Sequence, residues 1–210
     1  MKPRETKLGP GVFLIYETEV YKSTGELVGK NRNSNLRYTP KAKEGGGEKR
    51  EKAAEPPAEV SDTEVTSSAP PDWSRQLRWG DVKVGDEVPH FSMWLSYQRI
   101  VMSVAVDRMF SGIHHNRERA LEGGLKDIIF NTRSYEMLFE AMLRRWIGLD
   151  GRIRKMGPFR MGGSTYPDDV VTAKAKVTGK PEAGRVTVEV VALNNRGEAA
   201  RGEAQVELPA

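Results

Sequence analysis

Residues 131–148 read NTRSYEMLFEAMLRRWIG, and this stretch decides the fold. Its large apolar side chains recur at intervals of three and four residues, which places them on one face of an α-helix. The members of this stripe are Tyr135, Leu138, Phe139, Met142, Leu143 and Trp146. Asn131 and Thr132 are typical N-caps, and Gly148 is a typical helix end. The sequence therefore predicts a helix over residues 134–147 that is buried along one side.

Strand patterns follow this helix to the end of the chain. Residues 156–161 are one strand candidate, and residues 171–177 alternate between apolar and polar side chains. Residues 186–193 and 199–208 flank a turn at 194–197, which predicts a hairpin. A long helix followed by a strand meander predicts an α+β fold, in which an antiparallel sheet wraps around a central helix.

Two segments of different character precede this domain, which spans residues 73–210. Residues 1–38 contain an alternating run, a turn at 23–25 and a second strand pattern, and they predict a β-hairpin. A lone hairpin is marginally stable in water, so we expect this one to pack on something else. Its Gly-Glu turn recurs at Gly197-Glu198, which suggests a remnant or tail of a second domain of the same kind. Residues 39–72 are rich in Gly, Pro, Lys, Glu and Ser and predict a flexible linker.

The composition excludes several classes of protein. The chain of 210 residues has no cysteine, which rules out disulfides and thiolate chemistry. Its net charge is only +4, and no basic run is interleaved with aromatic residues, so we expect no nucleic-acid partner. The charged N-terminus has no apolar core of a secretory signal, and no apolar run approaches the roughly 20 residues of a membrane helix. We therefore expect a cytoplasmic protein without membrane insertion.

A polar loop before the long helix carries the most specific motif in the chain. Residues 113–120 read IHHNRERA, and residues 127–132 read DIIFNT. Pro167-Asp168-Asp169 and the closing residues 195–198 and 202–204 add to the pattern. Together they resemble the MaoC-like (R)-specific enoyl-CoA hydratase and dehydratase family over most of residues 73–208. The variant with His114, Ala120 and Asn131 looks especially similar to hydratase subunits that act on steroid side-chain acyl-CoA thioesters.

The resemblance implies a hot-dog fold, with the N-terminal hairpin taken from a partial second hot-dog. His114 matches the catalytic histidine of the family, and Asn116 matches the aspartate that usually follows it. The catalytic aspartate should precede the histidine by five residues, but that position is Met109 in this chain. The nearest acid is Asp107, and a two-residue offset on a helix turns a side chain by about 200°. Asp107 is therefore a second catalytic candidate whose direction depends on where the helix ends.

The chemistry explains which groups such a site needs. Hydration of an enoyl thioester takes a proton from water and gives one to the α-carbon, and a histidine and a carboxylate can divide these tasks. The thioester oxygen gains negative charge, so we expect backbone N–H groups near Asn131 and Thr132 to stabilise it, with Asn116 nearby. The His114-His115 pair has no further ligands at metal-site spacing, so neither a metal nor another cofactor is expected.

Two functions remain open from the sequence. The first is an enzyme that hydrates a 2-enoyl-CoA to a 3-hydroxyacyl-CoA, or dehydrates the product, with His114 as the base. The second is a non-catalytic hot-dog subunit that shapes the acyl-CoA pocket of a catalytic partner, since Met109 replaces the expected acid. The resemblance also implies that hot-dog domains pair, as a homodimer or as a heteromer with another hot-dog subunit. A thioesterase-like domain or another acyl-thioester binder is a more distant alternative.

Overall fold

The structure, a computed structural model, describes residues 4–6, 9–39 and 71–210, which fall into two units. The N-terminal unit is an antiparallel sheet of β1 (Arg4–Thr6), β2 (Gly9–Tyr21) and β3 (Leu27–Tyr38). The predicted hairpin is therefore confirmed, with strands longer than the pattern suggested. Residues 40–70 of the predicted linker lie outside the described residues, so its flexibility stays a prediction.

The second unit is a sheet around one long helix. Its elements are β4 (Glu87–Trp94), α1 (Tyr97–Val106), α2 (Arg117–Glu122), α3 (Thr132–Ile147), β5 (Arg152–Met156), β6 (Arg160–Met161), β7 (Val170–Gly179), β8 (Arg185–Asn194) and β9 (Gly197–Glu207). The strand order is β4-β7-β8-β9-β5, with β6 on β9, and every pair is antiparallel. Because α3 packs against β4, β5, β7 and β8, the predicted architecture is confirmed.

The central helix α3 follows from the residues at its two ends and along its stripe. Asn131 caps it, and Gly148 ends it with a φ of 74°, a left-handed value that favours glycine. Leu138, Phe139 and other members of the stripe are buried against the sheet. Each large apolar side chain buried in this way stabilises the fold by about 1.5–3 kcal/mol. The helix begins two residues earlier than predicted.

The strand predicted over residues 156–161 is wrong as a single element. The chain forms β5 and β6 instead and breaks between them at Gly157-Pro158-Phe159. Pro158 has no N–H to donate to the ladder, and Gly157 has a φ of 90°. The break brings the ring of Phe159 onto Phe139, with centroids 5.4 Å apart. The interruption therefore supplies a core side chain.

The region between β4 and α3 holds two shorter helices. In α1, the residues Tyr97, Ile100, Val101 and Val104 recur at helical spacing, and Ile100 and Val104 are buried. α2 is only six residues long and mostly charged, so it has no periodic stripe to reveal it. Within the described residues, no helix is both long and apolar enough to cross a membrane.

Candidate active site

His114 lies at the end of a 3-10 turn (Gly112–His114) and is 8% exposed. Its Nδ1 is 2.8 Å from the carbonyl oxygen of Ile129, two residues before the cap of α3. The backbone N–H of Ile129 donates in turn to the carbonyl of Ile113, at 3.1 Å. These two bonds fasten the histidine loop to the segment that enters the central helix.

The bond to Ile129 decides which nitrogen of His114 carries the proton. A carbonyl oxygen only accepts hydrogen bonds, so Nδ1 must be the donor, and the neutral ring keeps its lone pair on Nε2. Among the described residues Nε2 has no hydrogen-bond partner, while every fully buried side-chain nitrogen or oxygen there has one. Nε2 is therefore reachable by solvent and can take a proton from water. His115 differs, because it is exposed and its Nε2 is 3.5 Å from the carbonyl of Phe110.

The N-terminus of α3 offers the donors that the sequence analysis expected. Asn131 Oδ1 accepts from the N–H of Arg133 at 3.2 Å, and the Asn131 carbonyl accepts from the N–H of Ser134 at 3.0 Å. The N–H of Thr132 has no acceptor within the described part of the chain, and Thr132 is exposed. This N–H also sits at the positive end of the helix dipole. It can therefore donate to a developing oxyanion, whereas that of Arg133 is already engaged.

Asp107 comes to the same helix end. α1 stops at Val106, Arg108 takes a left-handed φ of 51°, and the N–H of Met109 donates back to the carbonyl of Val104 at 2.9 Å. Asp107 Oδ2 accepts from Asn131 Nδ2 at 3.3 Å. Because Arg108 leaves the helical conformation between Asp107 and Met109, the rotation expected for a continuous helix does not relate these two residues. Asp107 is therefore the carboxylate that the fold brings to Asn131.

Met109, at the family's acid position, is half-buried in the loop after this turn. It contributes a backbone N–H to the end of α1, as described above, and its side chain has no group that exchanges protons. The departure from the family pattern is therefore present in the fold as well as in the sequence.

Asn116 has a structural role in its own loop. Its side-chain oxygen accepts from the N–H of Arg119 at 3.1 Å and so caps α2. It is exposed and lines a surface depression of about 560 Å³ together with Phe110, Ile113 and His115. A contact between Asn116 and substrate stays a prediction.

Glu136, one turn into α3, is a half-buried carboxyl that the sequence reasoning missed. Burial raises the pKa of Glu136, the nearby Asp107 carboxylate adds to this rise, and Arg133 opposes it. Glu136 follows Tyr135 of the apolar stripe directly, and its position in the sequence does not indicate that Asp107 lies nearby. Its position places a second carboxyl near the one on Asp107.

A second loop, residues 164–169, holds the entry to α3 from the other side. The carbonyl of Thr165 accepts from the N–H of Phe130 at 2.8 Å, and Thr165 Oγ1 accepts from the hydroxyl of Tyr135 at 2.6 Å. Thr165 is fully buried, as is nearly all of Asp169. In the sequence, Asp169 falls in the Pro167-Asp168-Asp169 motif and Tyr135 falls in the apolar stripe of α3, and neither position indicates these hydrogen bonds. Their partners lie about 30 residues away, which no local pattern reveals.

The described residues contain no group of three or more His, Asp or Glu side chains arranged to hold a metal ion. The groups that come together around the start of α3 are an imidazole, a carboxylate and a backbone N–H. Such a set can move a proton and stabilise a negative oxygen.

Comparison with known proteins identifies the class and then the family. No family model matches the chain. The 3-oxo-4,17-pregnadiene-20-carboxyl-CoA hydratase beta subunit of Mycobacterium tuberculosis is 31% identical over 115 residues, which cover 55% of this chain and 88% of that protein. A chain in the crystal structure of the ChsH1-ChsH2 complex from the same organism matches with 28% identity and a TM-score of 0.58, over 60% of this chain and 98% of its own.

A larger structure, a MaoC-like dehydratase, matches 99% of this chain and 67% of its own, with 18% identity and a TM-score of 0.71. This match shows the fold alone, and it extends over the N-terminal unit as well as residues 71–210. The protein is therefore a hot-dog protein, as expected. The chain belongs to the MaoC-like (R)-specific hydratase and dehydratase family.

Proposed function

We propose that this chain is an acyl-CoA hydratase, or the His114-bearing subunit of one, which adds water across a 2-enoyl-CoA or catalyses the reverse dehydration. The observation that carries the proposal is the bond from His114 Nδ1 to the Ile129 carbonyl. It leaves Nε2 as a solvent-accessible base on a side chain that is bonded to Ile129, three residues before the unpaired N–H of Thr132. A base and an oxyanion donor held at the entry to one helix are the two elements that this reaction requires.

In the proposed reaction, His114 Nε2 takes a proton from a water molecule whose oxygen bonds to the β-carbon. The π electrons move toward the thioester, and the N–H of Thr132 donates to the oxygen that becomes negative. The imidazolium then returns the proton to the α-carbon, so that H and OH of one water are added in total. Asp107 accepts a hydrogen bond from the O–H that stays on the water oxygen, while Asn131 holds the Asp107 carboxylate in place.

We further propose that the chain works with a second hot-dog subunit and accepts a bulky apolar acyl group. The relative from Mycobacterium tuberculosis is named as a subunit, and its substrate name is that of a pregnadiene carboxyl-CoA. On this chain, Met102, Val106 and Phe110 follow one another at four-residue spacing, and the Phe110 side chain is 83% exposed. Exposed apolar groups of this size favour a partner or ligand surface next to Asp107.

The alternative function is a non-catalytic subunit that shapes the pocket of a catalytic partner. Met109 at the family's acid position favours it, and so does the bond that commits part of the Asp107 carboxylate to Asn131. In that case the partner supplies the proton transfers, and His114 is dispensable for turnover.

Turnover of His114 variants separates the two functions. The chain, with its hot-dog partner if it has one, is assayed on short-chain, medium-chain and polycyclic 2-enoyl-CoA thioesters. His114→Ala should lower kcat at least 10²-fold, a loss of about 2.7 kcal/mol in transition-state stabilisation. His114→Asn should do the same, although its amide can still donate to Ile129. His115→Ala, the matched control, should change the rate only a few-fold; equal rates for wild type and both His114 variants would establish the non-catalytic function.

A further inference from the structure

We propose that the Arg196–Asp169 ion pair is the positioning device of the oxyanion donor at Thr132, an inference that rests on the function proposed above. The pair itself does not touch the reacting atoms. It acts through the loop of residues 164–169, which holds the segment that leads into α3.

Arg196 and Asp169 form a bidentate ion pair that joins the β8–β9 turn to the loop of residues 164–169. Arg196, in the turn between β8 and β9, donates from one guanidinium nitrogen to Asp169 Oδ1 at 2.8 Å and from another to Asp169 Oδ2. Asp169 is 4% exposed, whereas the Arg196 side chain is 44% exposed. A bidentate pair of this kind fixes orientation as well as distance. It therefore locks the 164–169 loop to the β8–β9 turn.

Further hydrogen bonds from Asp169, Arg196 and Asn194 fix the conformation of the 164–169 loop. Asp169 Oδ2 accepts from the backbone N–H of Tyr166 at 2.7 Å, and Arg196 donates to the carbonyl of Ser164 at 3.2 Å. Asn194, beside the same turn, donates to that carbonyl at 3.1 Å and to Thr165 Oγ1 at 2.8 Å. Every residue from Ser164 to Tyr166 is thus bound to the turn or to Asp169.

Thr165 connects this loop to the start of α3. The carbonyl of Thr165 accepts from the N–H of Phe130, and its hydroxyl oxygen accepts from Tyr135. Phe130 and Tyr135 lie on either side of Thr132 along the chain, and their rings meet edge to face at 5.0 Å. The segment before α3 is therefore held at Ile129 by the histidine loop (residues 111–116) and at Phe130 by the Thr165 loop (residues 164–169). A shift of the Thr165 loop moves the Thr132 N–H relative to His114.

Positioning of a preorganised donor has a distinctive kinetic effect. The donor stabilises charge that develops only in the transition state, so its displacement lowers kcat and leaves the binding of the ground-state thioester nearly unchanged. Displacements of about 1 Å far from the chemistry can lower rates by as much as about 10²-fold.

The test uses Arg196→Lys, which keeps the charge and removes the bidentate geometry, because changing the buried Asp169 risks the fold itself. The matched control is Arg201→Lys, whose arginine lies on the same hairpin and pairs with Glu198 at 2.9 Å. The full chain, with its partner where one is required, is assayed for kcat and KM. Amide hydrogen exchange of residues 128–135 is measured on the same samples.

We expect Arg196→Lys to lower kcat about tenfold or more with KM within about twofold, and to speed exchange of the Phe130 amide about tenfold. Arg201→Lys should change neither quantity. Unchanged Phe130 exchange in Arg196→Lys overturns the proposal, and so does faster exchange with an unchanged kcat. If the wild-type chain turns over no thioester, the proposed function fails, while the Phe130 exchange still decides whether the pair fixes this segment.

Discussion

Two loops hold the segment that enters α3, and they do so in different ways. Residues 111–116 contact this segment through His114, whose Nδ1 is bonded to the Ile129 carbonyl while its Nε2 stays accessible to solvent. Residues 164–169 reach it through Thr165, whose carbonyl and hydroxyl oxygens are both engaged and which is fully buried. The difference suggests that the first loop carries chemistry and the second supports it. Changes in the second should affect stability, and should affect turnover only through the position of the Thr132 N–H, whereas replacing His114 in the first should affect turnover directly.

The largest expected effect on stability comes from removing the charge of Arg196. Arg196→Met leaves the Asp169 carboxylate buried without its cationic partner, and we expect unfolding in urea to become easier by about 2–3 kcal/mol. This value is at or below the usual cost of breaking a buried pair, because the arginine is half exposed. Arg201→Met, which removes a more exposed pair on the same hairpin, should cost less than about 1 kcal/mol. Equal losses in the two variants would show that the Thr165 loop is not the supporting one.

A smaller effect is expected from Tyr135→Phe. The change removes the hydroxyl that donates to Thr165 Oγ1, while Asn194 continues to donate to the same oxygen. We therefore expect a loss of about 1 kcal/mol in the free energy of unfolding. The ring and its contact with Phe130 are kept, so the change in stability reports the loss of the hydroxyl and not a loss of packing. No change in urea midpoint would mean that the bond from Tyr135 adds nothing to the support.

On the histidine side, Asn116→Ala should destabilise the chain by about 1 kcal/mol through loss of the α2 cap. Asn116→Asp keeps an acceptor at the cap and should retain both stability and turnover. A large rise in KM for Asn116→Asp, with stability unchanged, would instead show that the Asn116 side chain contacts substrate, as the family resemblance implies.

The smallest effect concerns Glu136 and depends on pH. Burial raises the pKa of Glu136, with a further contribution from Asp107, so the folded chain holds this proton more tightly than the unfolded chain. The wild-type protein therefore loses stability as pH rises from the ordinary glutamate range through the raised pKa. Glu136→Gln removes this loss, so it should match wild type near about pH 3 and exceed it near about pH 8. Glu140→Gln, one turn further on, should show no such gain in stability. A gain of equal size in Glu140→Gln would show that the effect does not come from the Glu136 carboxyl.

The sequence predicted the parts of this molecule that have a local period. The α3 stripe and the alternating β7, β8 and β9 gave the sheet-around-helix fold, and the Asn131 cap came from residue type alone. The direction of Asp107 was not predictable, because it depends on a left-handed turn at the non-glycine residue Arg108. The partners of Thr165 and Asp169 were missed because they are joined across about 30 residues of chain. His114 was found through the family resemblance, whereas its free nitrogen emerged only from the Ile129 contact.

The protonation state of His114 tests the central claim most directly. Long-range ¹⁵N–¹H NMR of histidine-labelled chain distinguishes the two neutral tautomers, and His114→Asn and His115→Ala assign two of the three histidine signals. The proposed function predicts that neutral His114 carries its proton on Nδ1, with Nε2 unprotonated and available as a base. A neutral His114 with its proton on Nε2 would contradict it, because the nitrogen that faces solvent would then be a donor and could not take a proton from water.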